Sequence, residues 1–83
     1  MKYGDFITNI WKEVGNCPKN WRKGQKVFNV VEDLYGNIAR EVQLIDGVDC
    51  FYDDREETIN LFIDHAWIRY ASSQHPITPR EKE

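Results

Sequence analysis

Apolar residues recur with helical spacing along most of this chain, and the cleanest pattern lies at 55–70. There Ile59, Phe62, Ile63, Ala66, Trp67 and Tyr70 stand three or four apart, the spacing that places side chains on one face of a helix. Asp53 or Asp54, each with a Glu three residues on (Glu56, Glu57), predicts the N-cap in a capping-box arrangement. A first helix is predicted over 4–14 from Phe6, Ile7, Ile10, Trp11 and Val14, with Asp5 as N-cap and Gly15 as the stop. A second is predicted over 21–35, capped by Asn20, with Gly24, Val27, Phe28, Val31, Leu34 and Tyr35 on the core side. Gly24 interrupts that apolar stripe at a cost of about 1 kcal/mol against Ala, which predicts close approach by another backbone.

Between these helices the punctuation is polar. The stretch 15–20 contains Pro18, which forces a turn. Gly36 and Asn37 predict a C-cap followed at once by the N-cap of a short third helix through Ile38, Val42 and Leu44. Residues 45–52 lack a helical period and carry an Asp-Gly turn pair, so a loop is expected that tucks Phe51 and Tyr52 inward. A hairpin over 42–52 is the minor alternative, since an isolated two-stranded hairpin is marginal. From 71 onward Pro, Ser and mixed charges offer no apolar face, and a disordered tail is expected over 71–83. The expectation is one all-α domain over 1–70, a compact bundle of three to four short helices; 83 residues leave no room for a second core.

Composition narrows the function classes. No apolar run approaches the roughly 20 residues of a membrane-spanning helix, and the first residues lack a signal-peptide core, so a cytoplasmic protein is expected. Two cysteines, Cys17 and Cys50, form no C-x-x-C pair and read as reduced thiols. The net charge of −3 is unevenly spread. Residues 1–30 carry six Lys or Arg against two acids, while 31–64 carry ten acids against two Arg.

The basic residues Lys19, Arg22, Lys23 and Lys26 share helical spacing and could meet phosphates, although a solvated helix face is the better account of them. The acids from Asp46 to Glu57 do not follow the alternating ligand order of a calcium loop, so no metal is expected. Their density also suits mimicry of a phosphate backbone, while helix capping and solubility explain most of them. No Gly-rich phosphate loop and no nucleophile beside a plausible base are present, which predicts a non-catalytic protein without cofactors. On the 55–70 helix, Leu61, His65 and Ile68 project away from the main apolar seam. A helix with apolar residues on two sides in so small a domain marks Leu61, His65 and Ile68 as a partner surface, for another protein or for a second copy in a homodimer.

The run Trp21-Arg22-x-Gly24-Gln25-x-x-Phe28-Asn29, followed by Asp49-Cys50-Phe51-Tyr52-Asp53 and an apolar helix, resembles small uncharacterised proteins of bacteria and their phages. The likeness covers most of 5–70, with Cys50 where that pattern commonly has Pro. It implies a helical fold and a bacterial or phage setting, and no activity. Gln25 and Asn29, one helical turn apart, are expected to hold the 49–52 loop by hydrogen bonds. The expected function is that of a small binding protein, such as a phage-type inhibitor or modulator of a host protein. The alternative is a nucleotide or nucleic-acid binder using Lys19, Trp21, Arg22, Lys23, Gln25, Lys26 and Tyr52.

Overall fold

The computed structural model describes residues 2–74, which form four helices: α1 (Tyr3–Val14), α2 (Lys23–Tyr35), α3 (Ile38–Leu44) and α4 (Glu56–Gln74). Among the described residues there is no strand, so the all-α expectation holds and 42–52 is not a hairpin. Helix α2 is central, touching α1, α3 and α4, and α4 closes the bundle against α3 and α1. Helix α4 runs past Ala71 to Gln74, further than its apolar pattern reaches; the remainder of the expected tail lies outside the described residues.

The core follows from the apolar stripes. Phe6 and Ile10 of α1, Val27 and Val31 of α2, Val42 of α3, and Ile59 and Phe62 of α4 are fully or almost fully buried. Phe6 is the hub of an aromatic cluster, stacked on Tyr35 at 4.5 Å and tilted against Trp67 and Tyr70 at 5.3 and 5.4 Å. Such offset and edge contacts contribute beyond area alone. On α2 the buried arc is displaced from its predicted position: Val30 is buried and Leu34 is exposed.

Gly24 meets the expectation placed on it. Its N–H donates to Asp53 O at 2.9 Å, and a Cβ there would sit 1.7 Å from Cys50 O. Cys50, fully buried, donates its thiol to Gly24 O at 3.3 Å. The 49–54 loop is thus held by the Gly24 backbone, not by Gln25 and Asn29; the Asn29 amide instead donates to Gln25 O at 2.9 Å within α2.

Several caps differ from their sequence assignment. Helix α1 starts earlier, so Asp5 lies in its first turn and accepts the Lys2 N–H at 3.3 Å. The residue before α2 is Arg22, and neither Asn20 nor Arg22 caps it with a side chain. That role falls to Asp54, whose Oδ1 accepts the Lys23 N–H at 2.9 Å. Asp53 stays with α4, accepting the Arg55 N–H at 2.9 Å. Gly36 ends α2 at a φ of 74°, a backbone conformation costly for residues with a Cβ, and Asn37 precedes α3 without a side-chain cap.

Tyr52 does not tuck inward and is 78% exposed. Cys50 takes the inward position against Gly24, and the Asp53 N–H closes a turn onto Cys50 O at 3.0 Å. That turn leaves Phe51 edge-on to Phe28 at 5.4 Å and directs Tyr52 to solvent.

Candidate functional site

On α4, Leu61, His65, Ile68 and Ser72 fall at i, i+4, i+7 and i+11, one continuous stripe opposite the buried seam. Leu61 is 49% and Ile68 59% exposed, so the two-sided character of the helix is real. Beside the stripe, the turn after α3 is pinned to α4. Asp46 accepts from one edge of the Arg69 guanidinium, Nη2 to Oδ1 at 2.6 Å and Nε to Oδ2 at 3.0 Å. His65 Nδ1 lies 3.1 Å from Asp46 Oδ2, and Arg69 Nη1 is 3.4 Å from Glu41 Oε1. A bidentate pair of this kind fixes orientation as well as distance. The Arg69 guanidinium holds the Asp46 carboxyl below its ordinary range, with His65 adding to the effect, and Asp46 in turn raises Arg69.

The pinned turn carries two further apolar side chains, Leu44 and Ile45, which are 76% and 70% exposed. Two shallow concavities join this end of α3 to the α4 stripe. One, of about 220 Å³, is lined by Arg40, Glu41, Leu44 and Ile45; the other, of about 570 Å³, by Glu41, Asp46, His65, Ile68, Arg69 and the two serines that follow. Glu41 borders both, so Leu44 and Ile45 on one side and Ile68 on the other flank one partly buried ionic cluster, with Leu61 one turn before His65 on the same stripe.

The Asp46 and His65 pair has the form of a base and its orienting acid. Arg69 shares the same carboxylate, however, and Ser72 lies two helical turns from His65, a rise of about 10 Å, with no hydrogen bond between them. Ser73 donates to Tyr70 O at 2.9 Å. The arrangement orients a surface and sets up no nucleophile.

The alternative set does not converge on one place. Arg22 pairs with Asp54 at 3.0 Å, and Lys23 reaches Glu56 at 3.4 Å while lying 5.4 Å from the Trp11 ring centre. Lys19 and Lys26 have no ion pair among the described residues. Gln25 is half-buried, and Tyr52 packs on the Phe51 ring at 4.8 Å. Trp21 lines a separate cavity of about 310 Å³ between the end of α1, the 15–21 loop and α2. The acidic segment is also engaged internally, through Asp46 with Arg69, Asp53 with Arg55, and Asp54 and Glu56 with the basic stripe. Among the described residues no group of three potential metal ligands comes together.

Both cysteines are free thiols. Burial pushes the Cys50 thiol up to about 12, with Asp49 and Asp53 adding to it; burial also raises half-buried Cys17. Among the described residues no helix is long and apolar enough to cross a membrane.

Helical spacing alone put Leu61, His65 and Ile68 together on the outer face of α4, where the structure also has them. It missed Leu44, Ile45 and the Asp46 to Arg69 pair, which joins residues 23 apart across a loop and leaves no periodic signal. Comparison with family models, with curated proteins and with solved structures gives no match.

Proposed function

We propose that this chain is a small non-catalytic binding protein that contacts another protein through the outer face of α3 and α4. The observation that carries the reading is the group of four exposed apolar side chains, Leu44 and Ile45 at the end of α3 and Leu61 and Ile68 on α4, on the two elements that the Arg69 and Asp46 pair joins. Interfaces gain most from apolar anchors and arginines held in place before binding, since little side-chain freedom is then lost on association. A bacterial or phage setting, with a role as modulator of a host protein, belongs to the same proposal and rests on the segment resemblance; a cytoplasmic location belongs to it too and rests on the lack of a long apolar run in the sequence. The nucleic-acid alternative has weaker support, because Arg22 and Lys23 already hold Asp54 and Glu56.

The test is affinity capture from bacterial lysate with wild type and with Leu61→Asp/Ile68→Asp, the captured proteins identified by mass spectrometry. Both positions are exposed, so the double variant should unfold within about 0.5 kcal/mol per site of wild type. The expected result is a protein retained by wild type and lost by the variant. An unchanged captured set sinks the assignment of this face. Sedimentation of the same pair decides whether the occupant is a second copy, in which case wild type is a dimer that the variant splits.

A further inference from the structure

The cavity lined by Trp21 lies on another part of the surface and has its own chemistry. Three successive backbone bonds build its floor loop: Asn16 N–H to Glu13 O at 3.0 Å, Cys17 N–H to Val14 O at 3.1 Å, and Trp21 N–H to Pro18 O at 3.2 Å. These turns carry the chain back from α1 and place Trp21 beside Val30 and Leu34 of α2, giving one aromatic and two aliphatic walls. The last turn of α1 contributes Glu13, and α2 contributes Asp33. Both acids raise the Cys17 thiol, consistent with their standing on either side of it.

These two carboxylates differ from those of the 46–56 segment. Asp46, Asp53, Asp54 and Glu56 are all spent on ion pairs within the fold. Glu13 and Asp33 have no side-chain hydrogen bond or ion pair among the described residues, and no Lys or Arg lines the cavity. Lys26 is not among the lining residues, although its charge reaches the Cys17 thiol and acts there against those of Asp33 and Glu13.

We infer that this cavity receives an arginine side chain presented by a partner protein. A guanidinium is planar and weakly hydrated, so its face can stack on Trp21 while its edges donate to Glu13 and Asp33. The methylene stem then lies along Val30 and Leu34. An ammonium satisfies the charge, but it has no planar face to stack and its three donors radiate from one atom, whereas a guanidinium offers separate edges to two carboxylates. At about 310 Å³ the cavity is at the small end of ligand sites, suited to one side chain. Because no Lys or Arg lines it, no cation there would pair with the α-carboxylate of free arginine, which the two carboxylates would repel. The inference is independent of the α3 and α4 face, whose residues it does not use.

The experiment follows the indole N–H signals of the full chain by nitrogen-proton NMR during titration with the tripeptide acetyl-Gly-Arg-Gly-amide. Parallel titrations use the lysine and citrulline versions and free arginine, and Trp21→Phe assigns the signal. The Arg peptide should move the Trp21 signal, with half-saturation at millimolar concentration, and the citrulline peptide should leave it unmoved. Glu13→Gln/Asp33→Asn should weaken binding at least about ten-fold while its spectrum stays folded, and Lys26→Gln should strengthen it. The inference is overturned by no shift up to about 20 mM peptide, by equal response to citrulline, or by undiminished binding to the Glu13/Asp33 variant. Tighter binding of free arginine than of the peptide overturns the partner side chain as the occupant.

Discussion

Replacing Gly24 by Ala should strongly destabilise the protein, although Ala is the better helix former by about 1 kcal/mol. The added Cβ would lie 1.7 Å from Cys50 O and 2.4 Å from Asp53 O. Carbon and oxygen approach to about 3.3 Å at closest without strain, so the 50–53 turn must retreat by roughly 1.5 Å. That retreat breaks the Gly24 to Asp53 backbone bond and the Cys50 thiol bond, and pulls Asp54 from the start of α2. Two lost hydrogen bonds at about 1 kcal/mol each, with overpacking of about 1–3 kcal/mol, outweigh the helix gain and leave a net loss of about 2–4 kcal/mol. A domain of this size is stable by only about 5–10 kcal/mol, so the effect is large. Urea unfolding followed by circular dichroism measures it, with Gly4→Ala as the control. Gly4 is exposed near the start of α1 with nothing within 4 Å of its Cβ, and the same substitution there should stabilise by about 0.4–1 kcal/mol. A Gly24→Ala protein as stable as wild type would refute the close-approach argument.

Two further outcomes follow from the side-chain environments. At about pH 8 an alkylating reagent should label half-buried Cys17 in the native protein and reach Cys50 only on unfolding, because so high a thiol value leaves almost no thiolate; labelling followed by peptide mass mapping decides it, and fast native modification of Cys50 contradicts the packing against Gly24. Asp46 titrates below its ordinary value of 3.8, so its stabilising effect is fully present above that value and is lost as pH falls through the lower folded value. The stability gap between wild type and Asp46→Asn should therefore narrow as pH falls through the acid range. Urea midpoints at about pH 7 and about pH 3 measure the gap, and one that stays constant between them would remove Arg69 as the cause.

The pairing of Asp46 with Arg69 also bears on how the proposed interface works. An exposed arginine on a bare helix loses rotamer freedom when a partner binds, whereas Arg69 is already oriented by three hydrogen bonds to Asp46 and Glu41. The same bonds hold the turn that presents Leu44 and Ile45 beside α4. One ionic cluster thereby organises apolar groups from two helices, and its loss in Asp46→Asn should weaken partner capture as well as the fold.

What the sequence determined by itself was local. Side-chain period placed four helices and selected the seam of α4 from Ile59 to Ala66, because any residue three or four positions away shares its face whatever the tertiary context. Gly24 was legible for the same reason, as a break in a stripe that only a backbone contact explains. The tertiary structure decided every question of which surface covers which. Asp54 looked like a cap for the helix that follows it, yet it caps α2, since the turn at Cys50 brings it within 2.9 Å of the Lys23 N–H. Tyr52 points outward because Cys50 fills the space beside Gly24, and on α2 it is Val30 that is buried and Leu34 that is exposed. The Trp21 cavity and the Leu44, Ile45, Leu61 and Ile68 surface arise the same way. They depend on residues far apart in the chain meeting in space, and a periodic pattern carries no record of that meeting.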